Sequence, residues 1–328
     1  MIEALPMTPY LFLVAGVALF AVLARLVFDR NRKWGWRAFA LIVLLPPAAG
    51  ATVAGSLRIF AGQGVAPSAA ARTLFAGVHY ERRVDGTGAP QVVHVVRIDL
   101  TAKGLSFLVT PGDAGKLLPL QAKTASEFLV EHKLEVGIVS GQFSPGYARS
   151  PWEEPLSASS YVRPNGRTVS RTVEYGKGDQ PSTLYFTDKN EASIGHAPSS
   201  VYNALTGDCV LLGEQMDRGA CPFAGDHLAR SAAGLTADAK TLVLVVVDGD
   251  RKGVATGMTA LELGDELQKM GVAQAIQLGV GPQAELAARD DEGEVSPLSI
   301  PMGEGRPGTE RRVGAVLGVQ AGSRITSL

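Results

Sequence analysis

The 328-residue sequence is poor in aromatic residues, in cysteine and in excess charge of either sign. Lysine and arginine number 31 against 32 aspartate and glutamate, a formal net charge of −1. That balance excludes the basic face a nucleic-acid binder needs. Only two cysteines occur, so no second pair supports a structural zinc site. No GxSxG elbow, HExxH, P-loop or CxxC pair is present, and the five histidines show no ligand spacing. His94, alone in an apolar run, reads as a packed or surface residue. There is no internal repeat and no low-complexity tail.

What the sequence has in quantity is apolar character, 46% of residues, partly concentrated near the N-terminus. The segment "PYLFLVAGVALFAVLARLVF", 9–28, is long enough to cross a bilayer, with Arg25 near one end where it can reach headgroups. A second run, 38–57, holds Pro46 and Pro47, which kink a helix but are tolerated within a membrane. Between them Arg30, Arg32, Lys33 and Arg37 outweigh Asp29, and Trp34 and Trp36 suit the headgroup belt. The expectation is a membrane anchor over 1–60 with its short basic loop in the cytoplasm, a linker over 61–73, and an extracytoplasmic domain over 74–328. In a bacterium that domain is periplasmic. A signal peptide followed by a loose apolar stretch is the alternative. Cys209 and Cys221 fall in the outer part, where an oxidising compartment permits a disulfide. Their spacing leaves bonded and free thiols both open.

The outer part reads as α+β, mostly β in a mixed sheet, with a few packed helices. "QVVHVVRIDL", 91–100, predicts a strand, with 104–113 as its pairing partner. Thr124 with Glu127 and Thr259 with Glu262 have capping-box spacing and predict two helices. In the second helix Leu261, Leu267 and Met270 fall along one face, and Gly271 marks its end. "TLVLVVVDGD", 241–250, is apolar on both faces and therefore central. The stretch 144–200, rich in Pro, Ser, Gly and Asn, predicts an irregular lid or insertion around "STLYFT". Asp248 and Asp250 fit either a cation site or a strand-ending turn. "AIQLGVGPQAEL", 275–286, matches a loose GxGxxA pattern. Only about 45 residues follow and a proline interrupts the helix entry, so a close backbone approach explains the glycines better than a dinucleotide does.

Several stretches carry a resemblance in one order along the chain. They are "VVHVVRIDL", "ASEFLVEHKLEVGIVSGQF", "VYNALTGDCVLLGEQ", "ARSAAGLTADAKTLVLVVVDGD", "GMTALELGDELQKMGVAQAIQL" and "RPGTERRVGAVLGVQA". Over roughly residues 90–321 they resemble the phosphodiester glycosidase family, which implies hydrolysis of a sugar-1-phosphodiester. The family's NLDGGGS loop becomes Gln277-Leu278-Gly279-Val280-Gly281-Pro282-Gln283, and its INGGFF becomes "IVSGQF" with Val139 at the Asn and Gln142 at the first aromatic. The frame is kept while the polar groups are gone. The positions the resemblance retains are Arg230, Asn203, Asp248, Glu310 and Arg311. It implies a site of Asp248 as candidate acid, with Arg230, Asn203, Glu310, Arg311, Gly279, Gly281 and Gln283 binding substrate. Arg230 or Arg311 either grips a phosphodiester through a forked hydrogen-bond pair or serves a structural ion pair, for example Arg311 with Asp248. No metal ligand is singled out, and cofactor and metal requirement stay open. The expected partners are a cell-envelope glycan or sugar phosphodiester and the membrane. Catalysis and non-catalytic binding or scaffolding both remain open.

Overall fold

The computed structural model describes residues 17–19, 21–22, 24–25, 68–85, 90–141, 143–144, 156–251 and 253–322. The chain forms two units, Met1–Ala66 and Pro67–Leu328. In the first, the described positions are helical and exposed or half-exposed. Among the described residues no helix is long and apolar enough to cross a membrane. Apart from those few helical positions, the segments 9–28 and 38–57 lie outside the described residues. In the second unit a strand, Ala69–Phe75, begins inside the stretch expected to be linker.

The second unit is layered. A seven-stranded sheet runs in the order Ala69–Phe75, Val78–Asp85, Gln91–Asp99, Thr241–Asp248, Arg230–Thr236, Val272–Val280, Cys209–Leu212. The strand Thr241–Asp248 is its middle member, as its two-sided apolar sequence predicts. Leu242, Leu244 and Val246 face a large central core, while Val243, Val245 and Val247 face the helix Ala260–Lys269. Side chains alternate across a strand, so a strand covered on both faces must be apolar at every position. Across the central core lie two five-stranded sheets, one built from Ser106–Val109, Val136–Ser140, Leu286–Arg289, Val295–Pro297 and Ala315–Gln320. The helix Ala125–His132 closes the outer face of that sheet with Phe128 and Leu129. The order of layers is therefore helix, sheet, sheet, helix.

Both capping boxes form: Thr124 and Glu127, and Thr259 and Glu262, exchange their hydrogen bonds reciprocally. Gly271 follows the second helix at φ +83, the left-handed position where glycine ends helices. Cys209 and Cys221 are joined in a disulfide.

Several expectations need correction. The paired strands are antiparallel throughout the described sheets, so the sheet is not mixed. The strand in 104–113, Ser106–Val109, pairs with Ala315–Gln320 instead of Gln91–Asp99, whose neighbours are Val78–Asp85 and Thr241–Asp248. Leu261 is 58% exposed, whereas Leu267 and Met270 are buried as expected, together with Ala260, Leu263 and Gly264. The region expected to be an irregular insertion holds short strands over 168–194 that join Asn203–Thr206 in the other five-stranded sheet, while Tyr161–Pro164 pairs with Leu120–Gln121 and Phe143–Ser144. The strands over 161–194 are three to four residues long, too short for a periodic signal to show.

Candidate functional site

The segments 137–141, 230–234, 248–250 and 279–283 meet at one end of the seven-stranded sheet. Arg230 is paired with Val247 on one side and Val280 on the other, and Ser231 faces Gly279. The Gly141 N–H donates to the Leu278 carbonyl (2.9 Å), and the Gly281 N–H to the Ala229 carbonyl (2.8 Å). Strand order alone thus assembles the corner that the motifs mark.

Arg230 is wholly buried. Its Nε donates to the Met258 carbonyl (2.7 Å), and Nη1 to the Pro222 carbonyl (3.3 Å) and Gln277 Oε1 (2.6 Å). Nη2 donates to the carbonyls of Phe223 and Asp226 (3.1 Å for the second). A guanidinium has five N–H donors, and each has an acceptor in this collar. Burial pulls the Arg230 pKa below its ordinary value, with Asp208, Asp226 and Glu262 opposing. Gln277 passes the chain onward, donating from Nε2 to Asp208 Oδ2 (3.2 Å). Three of the five acceptors lie at 222–226, just after Cys221, so the disulfide fixes the start of the collar.

The glycine turn has a steric cause. A Cβ on Gly279 would stand 2.6 Å from the Gln283 carbonyl oxygen, because the turn Gly281–Gln283 folds back over it. Gly281 has φ +61, which favours glycine. Gln283 is half-buried. At the neighbouring strand end Ser140 is buried, and its hydroxyl has no hydrogen-bond partner.

Asp248 is 2% exposed and both its oxygens are engaged. Oδ2 pairs with His94 Nε2 (3.1 Å), and Oδ1 accepts from the Ile300 N–H (2.9 Å). His94 Nδ1 in turn meets the Tyr80 hydroxyl (2.9 Å), and burial raises the Tyr80 pKa. The partner of Asp248 is therefore His94, not Arg311. Asp250, exposed and at φ +58, has the geometry of a turn residue. Among the described residues no group of three or more His, Cys, Asp or Glu is placed to hold a metal.

The remaining positions fall elsewhere. Asn203, buried, donates to the Phe107 carbonyl (2.8 Å) and accepts from the Arg171 N–H (3.1 Å), tying the two five-stranded sheets together. Glu310 accepts from the Ser126 N–H (2.9 Å) at the start of the first helix and meets the buried Glu285. Arg311 is half-buried beside it. An open groove of about 500 Å³ runs along that helix, lined by Lys123, Ser126, Glu127, Glu131 and Arg312 among others. None of the candidate substrate or catalytic residues named from sequence lines it. Tyr80 and Asp208, which complete the two polar chains, carry no sequence signal: one sits in an ordinary strand, the other in a turn.

Comparison with known proteins places the fold and the family. The profile of the phosphodiester glycosidase family matches residues 132–320. A solved structure of a Burkholderia pseudomallei protein described as exported shares the fold, with TM-score 0.59 and 13% identity over 79% of this chain and 97% of that one. So does the catalytic domain of zebrafish N-acetylglucosamine-1-phosphodiester alpha-N-acetylglucosaminidase, auto-inhibited by its pro-peptide, with TM-score 0.54 and 17% identity over 79% of this chain and 87% of that one. No curated protein sequence matches the chain. With more than half its length matched by the family's profile, the chain belongs to the phosphodiester glycosidase family.

Proposed function

We propose that this chain is a membrane-anchored member of the family whose motif corner no longer hydrolyses sugar-1-phosphodiesters, and that its outer domain binds a cell-envelope glycan or phosphodiester polymer or scaffolds a membrane partner. The observation that carries this is the Arg230 collar: all five N–H donors already have protein acceptors. Glycosidic cleavage usually needs a protonated acid and a second carboxylate flanking the bond. At this corner the turn leaves no room for a side chain on Gly279, and Asp248 is buried with both oxygens engaged. Anchoring rests on the apolar runs 9–28 and 38–57 with the basic loop between them.

The full chain, purified in detergent, tests the proposal against a panel of sugar-1-phosphodiesters. No turnover is expected, together with a rise in Tm on adding envelope polymer. Turnover that Asp248→Asn abolishes would sink the non-catalytic reading. A working hydrolase is the alternative, and the Tyr80–His94–Asp248 chain favours it, since it holds one carboxylate in a fixed orientation. Protease protection of the basic loop in sealed membranes, with residues 74–328 accessible from the outer face, tests the anchor.

A further inference from the structure

Glu285 follows the turn 281–283 and is wholly buried. The pairing of Leu286 with Ile138 sets it opposite Val139, whose side chain belongs to the apolar layer under the first helix. Neither carboxyl oxygen of Glu285 has a hydrogen-bond donor from the protein. The carboxyl instead meets that of Glu310, which is half-buried and holds the Ser126 N–H. Two carboxylates in contact in a dry site cannot both be ionised.

The other charged groups nearby do not neutralise Glu285. On the first helix and the residues before it, Glu127 is paired with Arg312 and Glu131 with Lys123. The strand Val136–Ser140 carries no titratable group. At the far end of Leu286–Arg289, Arg289 donates to the carbonyls of Gly293, Leu129 and Leu134. From the C-terminal segment the backbone N–H of Arg311 approaches, short of a well-formed hydrogen bond.

We propose that Glu285 stays protonated against the carboxyl of Glu310, and that this proton fastens the segment 303–312 onto the turn 281–283 and the first helix, a clasp that loosens as pH rises. The short turns Gly281–Gln283 and Gly303–Gly305 pack on each other, so the clasp governs how closely the C-terminal segment covers the motif corner. Burial, reinforced by Glu310, pushes the Glu285 pKa up to about 10, while the Arg311 N–H works the other way. The folded chain therefore keeps a proton that the unfolded chain releases above the ordinary glutamate value of 4.5. Folding weakens with rising pH between those two values. This inference stands whether or not the corner binds a glycan.

The test uses the full chain and its Glu285→Gln variant, because glutamine reproduces the donor and acceptor pattern of a neutral acid. The infrared spectrum at pH 7 should show the carbonyl stretch of a buried neutral carboxylic acid, absent in E285Q. The ratio of folding constants, variant over wild type, should grow by up to tenfold per pH unit above the ordinary glutamate value. In Glu310→Gln the amide can donate to an ionised Glu285, so the neutral-acid band should vanish at lower pH. A missing band at pH 7, a ratio flat in pH, or an E285Q chain that fails to fold would each overturn the proposal.

Discussion

Two ionisable side chains are wholly buried near the same corner, and the fold treats them in opposite ways. Arg230 keeps its charge and has an acceptor for every N–H. Glu285 has no donor for either oxygen and is left to hold a proton. A guanidinium cannot shed its proton at any ordinary pH, so the chain must supply acceptors; a carboxyl can become neutral, so it need not be given donors. Buried charge at Arg230 is thus a structural commitment of the loop 222–226, whereas Glu285 responds to the medium.

The contrast breaks most severely at the arginine. Arg230→Met leaves five carbonyl or amide acceptors facing an apolar side chain, and removing one partner of a buried charged cluster costs roughly 3–5 kcal/mol. The denaturation midpoint should fall accordingly, and Arg230→Lys should recover little, since one ammonium cannot reach the forked set. Glu285→Gln should move the other way, with a gain of roughly 1–4 kcal/mol at pH 8 that shrinks toward pH 5, because a neutral amide spares the fold from taking up a proton. A Gly279→Asp chain, which returns the family's acid, should lose about 1–3 kcal/mol through the clash with the Gln283 carbonyl and should gain no turnover in the sugar-phosphodiester assay. The smallest effect belongs to Tyr80→Phe. Loss of one buried hydrogen bond to His94 costs about 1 kcal/mol in chemical denaturation.

Much of the scaffold was legible because single signals sufficed. A capping box needs only Thr124 and Glu127 at the right spacing, and a two-sided apolar run such as Thr241–Asp248 has few places to go except the middle of a covered sheet. Pairing was less legible. Ser106–Val109 follows Gln91–Asp99 in sequence, yet it crosses to another sheet and joins Ala315–Gln320, a partner over 200 residues away that no local pattern names. Leu261 was misplaced because its spacing to Leu267 suits a buried face, while the packed residues are the small Ala260 and Gly264 with Leu263 and Leu267. At the corner, the motifs named Arg230 and Asp248 but not their partners. His94 and Asp248, or Arg230 and Gln277, lie 154 and 47 residues apart, and only the register of the sheet shows that they touch.

The fold of the glycine turn also bears on engineering. Gly279 lacks more than a side chain: the Gln283 carbonyl occupies the space a Cβ would need. An acid placed at that position alone therefore meets the backbone of the turn. Residues 281–283 would have to be rebuilt first, and any attempt to revive chemistry here must begin with the backbone.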